Sequence, residues 1–295
     1  MQTEPEIAGV IRERRRLINL SYRLLGSLAD AEDVVQETYA RLYALSDAER
    51  SALREPAAWL TTVATRICLD QLGSARARRE SYVGEWLPEP IPESDQRAAA
   101  DPADRITLDE SIDMALLVVL DEMTPAERVA FLLHDVFGYA FAEIGEIVGR
   151  SPAACRQLAT SARRRIRGAR PAEVPPTERA AVVRRFRDAW ELGEIRELLA
   201  VLDADAVMTS DGGGVVPAAL APIRGGSTIA EFLAGLARPA TDVRLEERSV
   251  NGQPGLIVSV AGEIETVLSF EIAGDHVRQI WAMRNPDKLR PWRPS

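Results

Sequence analysis

Residues 124–170 read TPAERVAFLLHDVFGYAFAEIGEIVGRSPAACRQLATSARRRIRGAR. Thr124 opens a Thr-Pro-Ala-Glu string, which is a capping-box start for a helix. Apolar residues then recur at helical spacing. Gly138 and Gly149 interrupt this pattern, and Ser151, followed by proline, caps a third helix. Short helices separated by glycine-containing turns predict a helix-turn-helix.

The third predicted helix has one apolar and one basic side. Its apolar stripe consists of Cys155, Leu158, Ala159, Ala162 and Ile166. Residues 150–170 contain seven arginines and no acidic residue. Such a run neutralises phosphates, and Arg or Gln on a helix can contact base edges in the major groove. We therefore predict DNA contacts from Arg156, Gln157, Thr160, Arg163 and Arg164.

The composition indicates a multi-domain chain that acts inside the cell. The 295 residues suffice for two or three small domains. The net charge of -9 is unevenly distributed, because residues 83–127 carry 12 acidic and 2 basic side chains whereas residues 150–170 are purely basic. Cys68 and Cys155 indicate neither a disulfide framework nor a metal site. The sequence shows no leader and no long apolar run, so we expect a cytoplasmic protein without membrane contact, metal or cofactor.

Helical periodicity also dominates residues 1–82. Residues 30–43 read DAEDVVQETYARLY and form an amphipathic helix with an acidic first turn. Residues 46–55 form a polar break that we interpret as a loop. Residues 56–70 read PAAWLTTVATRICLD and again have apolar side chains at helical spacing.

Taken together, these three segments resemble a group IV, or extracytoplasmic-function (ECF), bacterial RNA polymerase sigma factor. The resemblance covers about residues 8–168. It implies a region 2 domain at 1–82 and a region 4 helix-turn-helix domain at 105–170, which would recognise the −10 and −35 promoter elements. It also implies that core RNA polymerase and promoter DNA are the partners.

The resemblance assigns roles to individual residues. Four side chains would bind the clamp helices of the polymerase largest subunit: Asp30, Asp33, Gln36 and Glu37. The loop 46–55 would capture a flipped base of the −10 element. Stacking surface and cations for the melted strand would come from Trp59, Thr62, Arg66, Arg76, Arg78 and Arg79. The family usually has Asn in an Ala-Arg-Asn step, and this chain instead reads Ala64-Thr65-Arg66, so promoter detail does not transfer.

An acidic, proline-rich linker at 83–104 separates the two helical domains. It contains the string WLPEP at 86–90, whose Trp-Leu pair needs an apolar partner surface. A second hinge at 171–177 precedes residues 178–295, where two helical patterns give way to period-two runs separated by turn residues. The order of these elements resembles the NTF2-like (SnoaL-like) cone-shaped α+β fold. The predicted fold class is thus two all-α sigma domains followed by an α+β NTF2-like domain.

Three strings resemble marks of a sigma-factor subgroup with such a C-terminal extension: WLPEP, DGGG at 211–214 and NPDKL at 285–289. We predict an intramolecular contact of the linker with the C-terminal domain. The residues assigned to this regulatory contact are Trp86, Leu87, Pro88, Asp211, Gly212, Gly213, Asn285, Pro286 and Asp287.

We interpret the chain as a sigma factor whose C-terminal domain modulates its activity, with no catalytic residues. Two alternatives place a SnoaL-like enzyme, or a small-ligand sensor with its ligand in the C-terminal pocket, on a DNA-binding helix-turn-helix regulator. The enzyme is disfavoured because the C-terminal region offers few acid-base residues beyond Asp211 and His276. A stand-alone regulator is disfavoured because it has no use for the DAEDVVQE helix.

Overall fold

A computed structural model describes residues 4–79, 82–92, 113–169, 174–237 and 242–293, and their side chains except those of 4–12, 74–79 and 237. These residues fall into two compact units. The first contains the helices of residues 1–80 and of residues 116–169, and the second contains the linker segment 81–93 and residues 170–295. None of the described helices is long and apolar enough to cross a lipid bilayer.

The first unit is entirely helical. Its elements are α1 (Glu4–Leu25), α2 (Leu28–Ala44), α3 (Asp47–Ala52), α4 (Pro56–Arg79), α5 (Met114–Asp121), α6 (Pro125–Phe131), a π-helical turn (Leu132–Val136), α7 (Phe141–Val148) and α8 (Pro152–Ala169). Gly149 ends α7 in the left-handed conformation, with φ of 66°. Ser151 caps α8, since its Oγ accepts the Ala154 N–H. The predicted tri-helix is therefore present.

One hydrophobic core joins the helices of both predicted sigma domains. Buried side chains from α1, α2 and α4 belong to the same cluster as those from α5 to α8. The Arg128 side chain of α6, only 4% exposed, donates to the Leu24 carbonyl of α1 at 2.5 Å and to Asp121 at 3.1 Å. Helical periodicity gives the apolar side of each helix but not the helix that covers it, so the sequence did not predict this shared core.

The interpretation of residues 46–55 as a loop was wrong. Residues 47–52 form α3, which has a capping box between Ser46 and Glu49. No residue of α3 is buried. The helix therefore lacks the apolar stripe on which the sequence analysis relied, and its end signals alone mark it.

The second unit is an α+β domain. Its elements are α9 (Pro176–Leu192), α10 (Ile195–Val201), β1 (Leu202–Asp211), β2 (Ile223–Arg224), α11 (Gly226–Ala237), β3 (Val243–Val250), β4 (Gln253–Val260), β5 (Glu263–Ala273), β6 (His276–Met283) and a 3₁₀ turn (Arg290–Trp292). The six strands form one sheet in the order β2-β1-β6-β5-β4-β3. β1 and β6 are parallel neighbours, and β3 to β6 form an antiparallel meander. This is the NTF2-like α+β fold that the element order predicted.

The two faces of this sheet are distinct because side chains alternate along a strand. On β1, Ala206 and Met208 belong to the core that also contains Phe186 and Trp190 of α9 and Leu233 of α11. The side chains of Ser210 and Asp211 consequently point to opposite sides. This alternation positions the sites described below.

Glu127 provides a test of how α6 is fixed in the first unit. Its carboxylate accepts the Ser161 hydroxyl of α8 at 2.7 Å and the Thr124 hydroxyl and N–H at 2.8 and 3.1 Å. Although burial raises the pKa of Glu127, the hydrogen bonds from Ser161 and Thr124 outweigh it and hold the pKa below the usual 4.5. The stability that this carboxylate contributes is present above the unfolded-state pKa and is lost as the pH falls through the folded-state pKa.

We expect Glu127→Gln to lower the free energy of unfolding at pH 7 by about 1.5–3 kcal/mol, the scale of a hydrogen bond to a charged group. The gap between wild type and variant should shrink as the pH falls below 4.5. Urea unfolding followed by circular dichroism at several pH values measures both effects. The control is Glu143→Gln, which alters an exposed capping glutamate of α7. A gap that does not change with pH would contradict the assignment.

Candidate interfaces and the Asp211 cluster

Helix α8 presents its predicted DNA-contacting residues opposite a packed face of small side chains. Cys155, Ala159 and Ala162 are fully buried, whereas four of the five predicted contacts are exposed: Arg156, Gln157, Thr160 and Arg164. The fifth, Arg163, is half-buried and donates to the Asp135 carboxylate at 2.7 Å.

Arg156 and Arg164 differ in how they are held. The Arg156 guanidinium lies 5.2 Å from the ring centre of Phe141 on α7, a cation–π arrangement that limits its motion. Arg164 is exposed. Helix α8 therefore presents two exposed guanidiniums, of which Arg156 is held against Phe141.

The predicted polymerase-binding residues share the solvent-facing side of α2. Asp30, Asp33, Gln36 and Glu37 are all exposed, while Val34 and Val35 between them are buried. Glu37 accepts the Arg41 Nε–H at 2.8 Å. An exposed ion pair of this kind contributes little to stability and dissociates easily, so this side of α2 presents a net negative charge.

The residues predicted to contact the −10 strand lie along α4. Trp59 is partly buried against the core, and the Thr62 hydroxyl donates to the Ala58 carbonyl at 2.9 Å. Arg66 is exposed and donates to the Glu146 carbonyl of α7 at 3.0 Å. The side chains of Arg76, Arg78 and Arg79 lie outside the described residues. Trp59, Thr62 and Arg66 thus follow one another along α4 at intervals of about one helical turn. In this structure the Arg66 guanidinium is bound to the α7 backbone.

A second group of residues, the Asp211 cluster, consists of Tyr82, Trp86, Leu87, Asp211, Asn285 and Lys288. The Asp211 side chain is fully buried at the end of β1. Its carboxylate accepts the Tyr82 hydroxyl at 2.6 Å, the Leu87 N–H at 2.9 Å and the Lys288 ammonium at 2.7 Å. Linker, β1 and C-terminal tail therefore meet at one carboxylate.

Lys288 is the only lysine in the chain, and it makes several contacts at once. Besides its ion pair with Asp211, its ammonium donates to the Leu87 carbonyl at 2.6 Å and lies 4.2 Å from the Trp86 ring centre. A compact ammonium with three donors fits this position between an anion, a carbonyl and an aromatic face. The linker backbone at Leu87 is thereby held through both its N–H and its carbonyl.

Tyr82 adds a neutral donor to the cluster. Burial, together with its hydrogen bond to Asp211, raises the pKa of Tyr82, so the hydroxyl remains protonated at neutral pH. Its oxygen in turn accepts the Asn285 side-chain N–H at 3.0 Å. Tyr82 was not predicted, because a tyrosine 129 residues from its partner belongs to no local sequence pattern.

The glycines after Asp211 make room for the linker and the tail. A Cβ atom at Gly213, where φ is +67°, would lie 2.6 Å from the Asn285 side chain. One at Gly214, where φ is +71°, would lie 3.0 Å from Val83 of the linker. Gly213 also donates its N–H to Asp211 at 3.0 Å. The glycine string is thus a contact surface as well as a turn.

The rest of the linker segment is bound at the β3–β4 turn. Ile91 donates its N–H to the Asn251 side chain at 3.1 Å and accepts the Asn251 N–H at 2.9 Å. The Trp292 indole of the tail donates to the Pro90 carbonyl at 2.8 Å. Leu87 and Ile91 are accordingly buried, as is Pro88. Asn251 and Trp292 were not predicted as partners of the linker.

The last two predicted tail residues have minor roles in this geometry. Pro286 is half-buried, and Asp287 forms an exposed ion pair with Arg290 at 2.5 Å. The Asp287 N–H donates to the Asn285 side chain at 3.0 Å, which fixes that amide toward Tyr82. Of the three predicted tail residues, Asn285 is therefore the one that belongs to the Asp211 cluster, together with Lys288.

The second unit also contains a cavity of about 750 Å³ between the sheet and helices α9 and α11. Its wall is largely apolar and includes Met208, Leu233, Val258 and Leu268. Asp211 and His276 do not line it. His276 instead lies 2.7 Å from the Asp275 carboxylate on an exposed turn, so the two acid-base residues considered from sequence are not brought together.

Comparison with known proteins identifies the family. The chain matches the models of Sigma-70 region 2 over residues 10–78 and of Sigma-70, region 4 over residues 113–166. It is 35% identical to the ECF RNA polymerase sigma factor SigJ of Mycobacterium tuberculosis (strain ATCC 25618 / H37Rv), covering 94% of this chain and 90% of the relative. It is also 35% identical to the probable ECF RNA polymerase sigma factor SigI of Mycobacterium tuberculosis, covering 99% and 97%.

A solved structure extends this similarity to three dimensions. The crystal structure of the Mycobacterium tuberculosis extracytoplasmic function sigma factor SigJ superimposes with a TM-score of 0.77 at 32% identity, covering 97% of this chain and 99% of that chain. The similarity thus includes the α+β unit as well as the helices. The chain belongs to the ECF RNA polymerase sigma factors, in the form that carries an NTF2-like C-terminal domain.

Proposed function

We propose that this sigma factor is regulated by its own C-terminal domain, which holds linker residues 82–92 at the Asp211 cluster. As a sigma factor the chain directs RNA polymerase to promoters, and it is a transcription regulator rather than an enzyme. The observation that carries the regulatory proposal is the buried Asp211 carboxylate, which receives hydrogen bonds from both the linker and the tail. Residues 82–92 directly follow α4, so a held linker limits where the two promoter-binding regions can move.

The energetics of the cluster favour a contact that is either made or broken as a whole. A buried carboxylate is tolerated only when its charge is compensated and its oxygens are hydrogen-bonded. Loss of the linker would remove the Tyr82 hydroxyl and the Leu87 N–H together, leaving Lys288 and Gly213 as partners. Such all-or-none contacts suit a switch between two states.

The roles of α2, α4 and α8 in polymerase and promoter binding are part of the same proposal. The exposed carboxylates of α2 suit a basic partner surface, and the exposed arginines of α8 suit DNA. For α4 the support is that the half-buried Thr62 and the exposed Arg66 lie about one helical turn apart. Arg66 becomes available to DNA when it leaves the Glu146 carbonyl.

A ligand sensor is the second candidate function of the C-terminal domain. It is supported by the cavity of about 750 Å³, which lies within the usual size range of small-molecule sites. Catalysis has less support. The acid-base groups among the described residues that line the cavity are Glu191 and Glu265, without a His, Tyr or Asp, and Glu265 lies 3.6 Å from Arg284.

We expect Asp211→Asn to release the linker. The substitution is nearly isosteric but removes the charge that pairs with Lys288. Hydrogen exchange of the Leu87 amide should become about tenfold faster or more, and run-off transcription with core polymerase should change by about fivefold or more. Asp205→Asn, an exposed residue of the same strand, is the matched control. Wild-type exchange and transcription in Asp211→Asn would refute the regulatory proposal.

We expect Arg156→Ala and Arg164→Ala each to weaken binding to a −35 element by about 1–3 kcal/mol. The comparison of wild-type and variant holoenzyme at several salt concentrations separates two cases. Loss of a phosphate contact should reduce the salt slope by about one, while loss of a base contact should relax sequence preference. Arg248→Ala, on β3, is the control for removing an exposed arginine. Unchanged affinity in both α8 variants would show that this side of α8 does not bind the promoter.

We expect the double variant Asp33→Arg with Glu37→Arg to abolish binding to core polymerase while the chain remains folded. Both side chains are exposed, so no cavity forms, and attraction to a basic partner becomes repulsion. Co-purification with core enzyme measures the effect. The double variant Glu231→Arg with Glu263→Arg makes the same change in net charge at exposed positions of the second unit. Equal co-purification of both double variants would mean that α2 is not the polymerase-binding helix.

A further inference from the structure

We propose that the cavity of the C-terminal domain binds a neutral, mainly apolar small molecule whose presence tightens the Asp211 cluster on the linker. The binding site stands on the cavity alone, whereas the coupling to the linker rests on the regulatory role proposed above. The inference rests on three features: the cavity, the ends of β1 and β6, and the loop after Asp211.

The size and lining of the cavity indicate the class of ligand. About 750 Å³ lies between the sheet and two helices, with an opening to solvent beside α11. Apolar side chains form most of the wall, and Phe232 and Leu236 of α11 line it while remaining 38% and 50% exposed. Covering large apolar side chains that are open to solvent is favourable, so a ligand that does so is stabilised in the cavity.

The charges around the cavity disfavour an anionic ligand. Two carboxylates, Glu191 and Glu265, line it together with one guanidinium, Arg284. Arg284 already lies 3.6 Å from Glu265 and donates to the Pro217 carbonyl. A neutral molecule avoids repulsion from the remaining carboxylate. The buried hydroxyls of Ser210 and Thr266 offer a hydrogen bond to its polar group.

The cavity and the Asp211 cluster use consecutive residues of the same strand ends. Ser210 and Arg284 line the cavity, and the residues that follow them, Asp211 and Asn285, belong to the cluster. The two strand ends are tied together, because the Arg284 N–H donates to the Asp211 carbonyl at 2.7 Å. Alternating side-chain direction thus places the two sites on opposite sides of one piece of backbone.

A second connection runs through the loop after Asp211. A Cβ atom at Gly212 would lie 2.8 Å from the Cβ of Ala218. The beginning of this loop, at Gly212, therefore packs against its last part, at Ala218. Pro217, Ala218 and Ala219 line the cavity. A ligand that contacts these residues packs against the loop from the cavity side. We therefore expect an occupied cavity to order the Asp211 cluster rather than to loosen it.

The probe pair N-phenyl-1-naphthylamine and 1-anilinonaphthalene-8-sulfonate tests the site with the full-length chain. The two molecules share an aromatic body and differ in the sulfonate charge. Fluorescence titration should give saturable binding of the neutral amine, with the sulfonate about fivefold weaker or more, consistent with like-charge repulsion. Val260→Trp and Leu236→Trp each fill part of the cavity and should reduce affinity for the amine about tenfold. Leu192→Trp, at an exposed position outside the cavity, should leave it unchanged.

Hydrogen exchange of residues 82–92 tests the coupling. Saturating N-phenyl-1-naphthylamine should slow exchange of the Leu87 amide about threefold or more in wild type and not in Val260→Trp. By reciprocity, Asp211→Asn should weaken binding of the amine by a comparable factor.

Each result decides a separate statement. Absence of saturable binding of the amine, or equal binding by both cavity-filling variants, overturns the site, and tighter binding of the sulfonate overturns the neutral class. Binding in the cavity with unchanged Leu87 exchange overturns the coupling. The regulatory role itself stands or falls with the transcription and exchange of Asp211→Asn in the absence of any probe.

Discussion

The arrangement of the C-terminal unit depends on compensation of one buried charge. Asp211 has no solvent access, and an isolated carboxylate in such surroundings would be strongly destabilising. Its partners come from three places in the chain: the linker, the glycine loop and the tail that carries Lys288. The linker is therefore a structural part of the C-terminal unit and not only a tether between helical regions.

Sequence reasoning predicted the elements better than their partners. The predicted tri-helix is present, with Ser151 as the cap of α8, and period-two strands occupy the C-terminal region, since apolar periodicity and turn residues mark these elements locally. The two-residue strand β2 is too short to show a period, and α3 has no buried side. Both were missed for that reason.

The same limit applies to the site. DGGG, NPDKL and WLPEP were recognisable as strings, but which atom binds which could not be derived from them. Tyr82, Asn251 and Trp292 hold the linker through contacts between residues 129 to 202 positions apart. Propensity and periodicity contain no information at that separation, so such pairs emerge only when the chain is folded.

The period of a β-strand explains why the Asp211 cluster and the cavity cannot vary independently in this domain. A substitution that moves Ser210 or Arg284 in the cavity also moves the backbone that carries Asp211 and Asn285. The glycine loop has little room to adjust, because a Cβ atom at Gly213 would lie 2.6 Å from the Asn285 side chain and one at Gly214 3.0 Å from Val83. A shift of a few tenths of an ångström at the cavity wall therefore changes hydrogen-bond lengths at the fully buried Asp211 carboxylate. There the free energy depends steeply on geometry, since water cannot replace a lost partner.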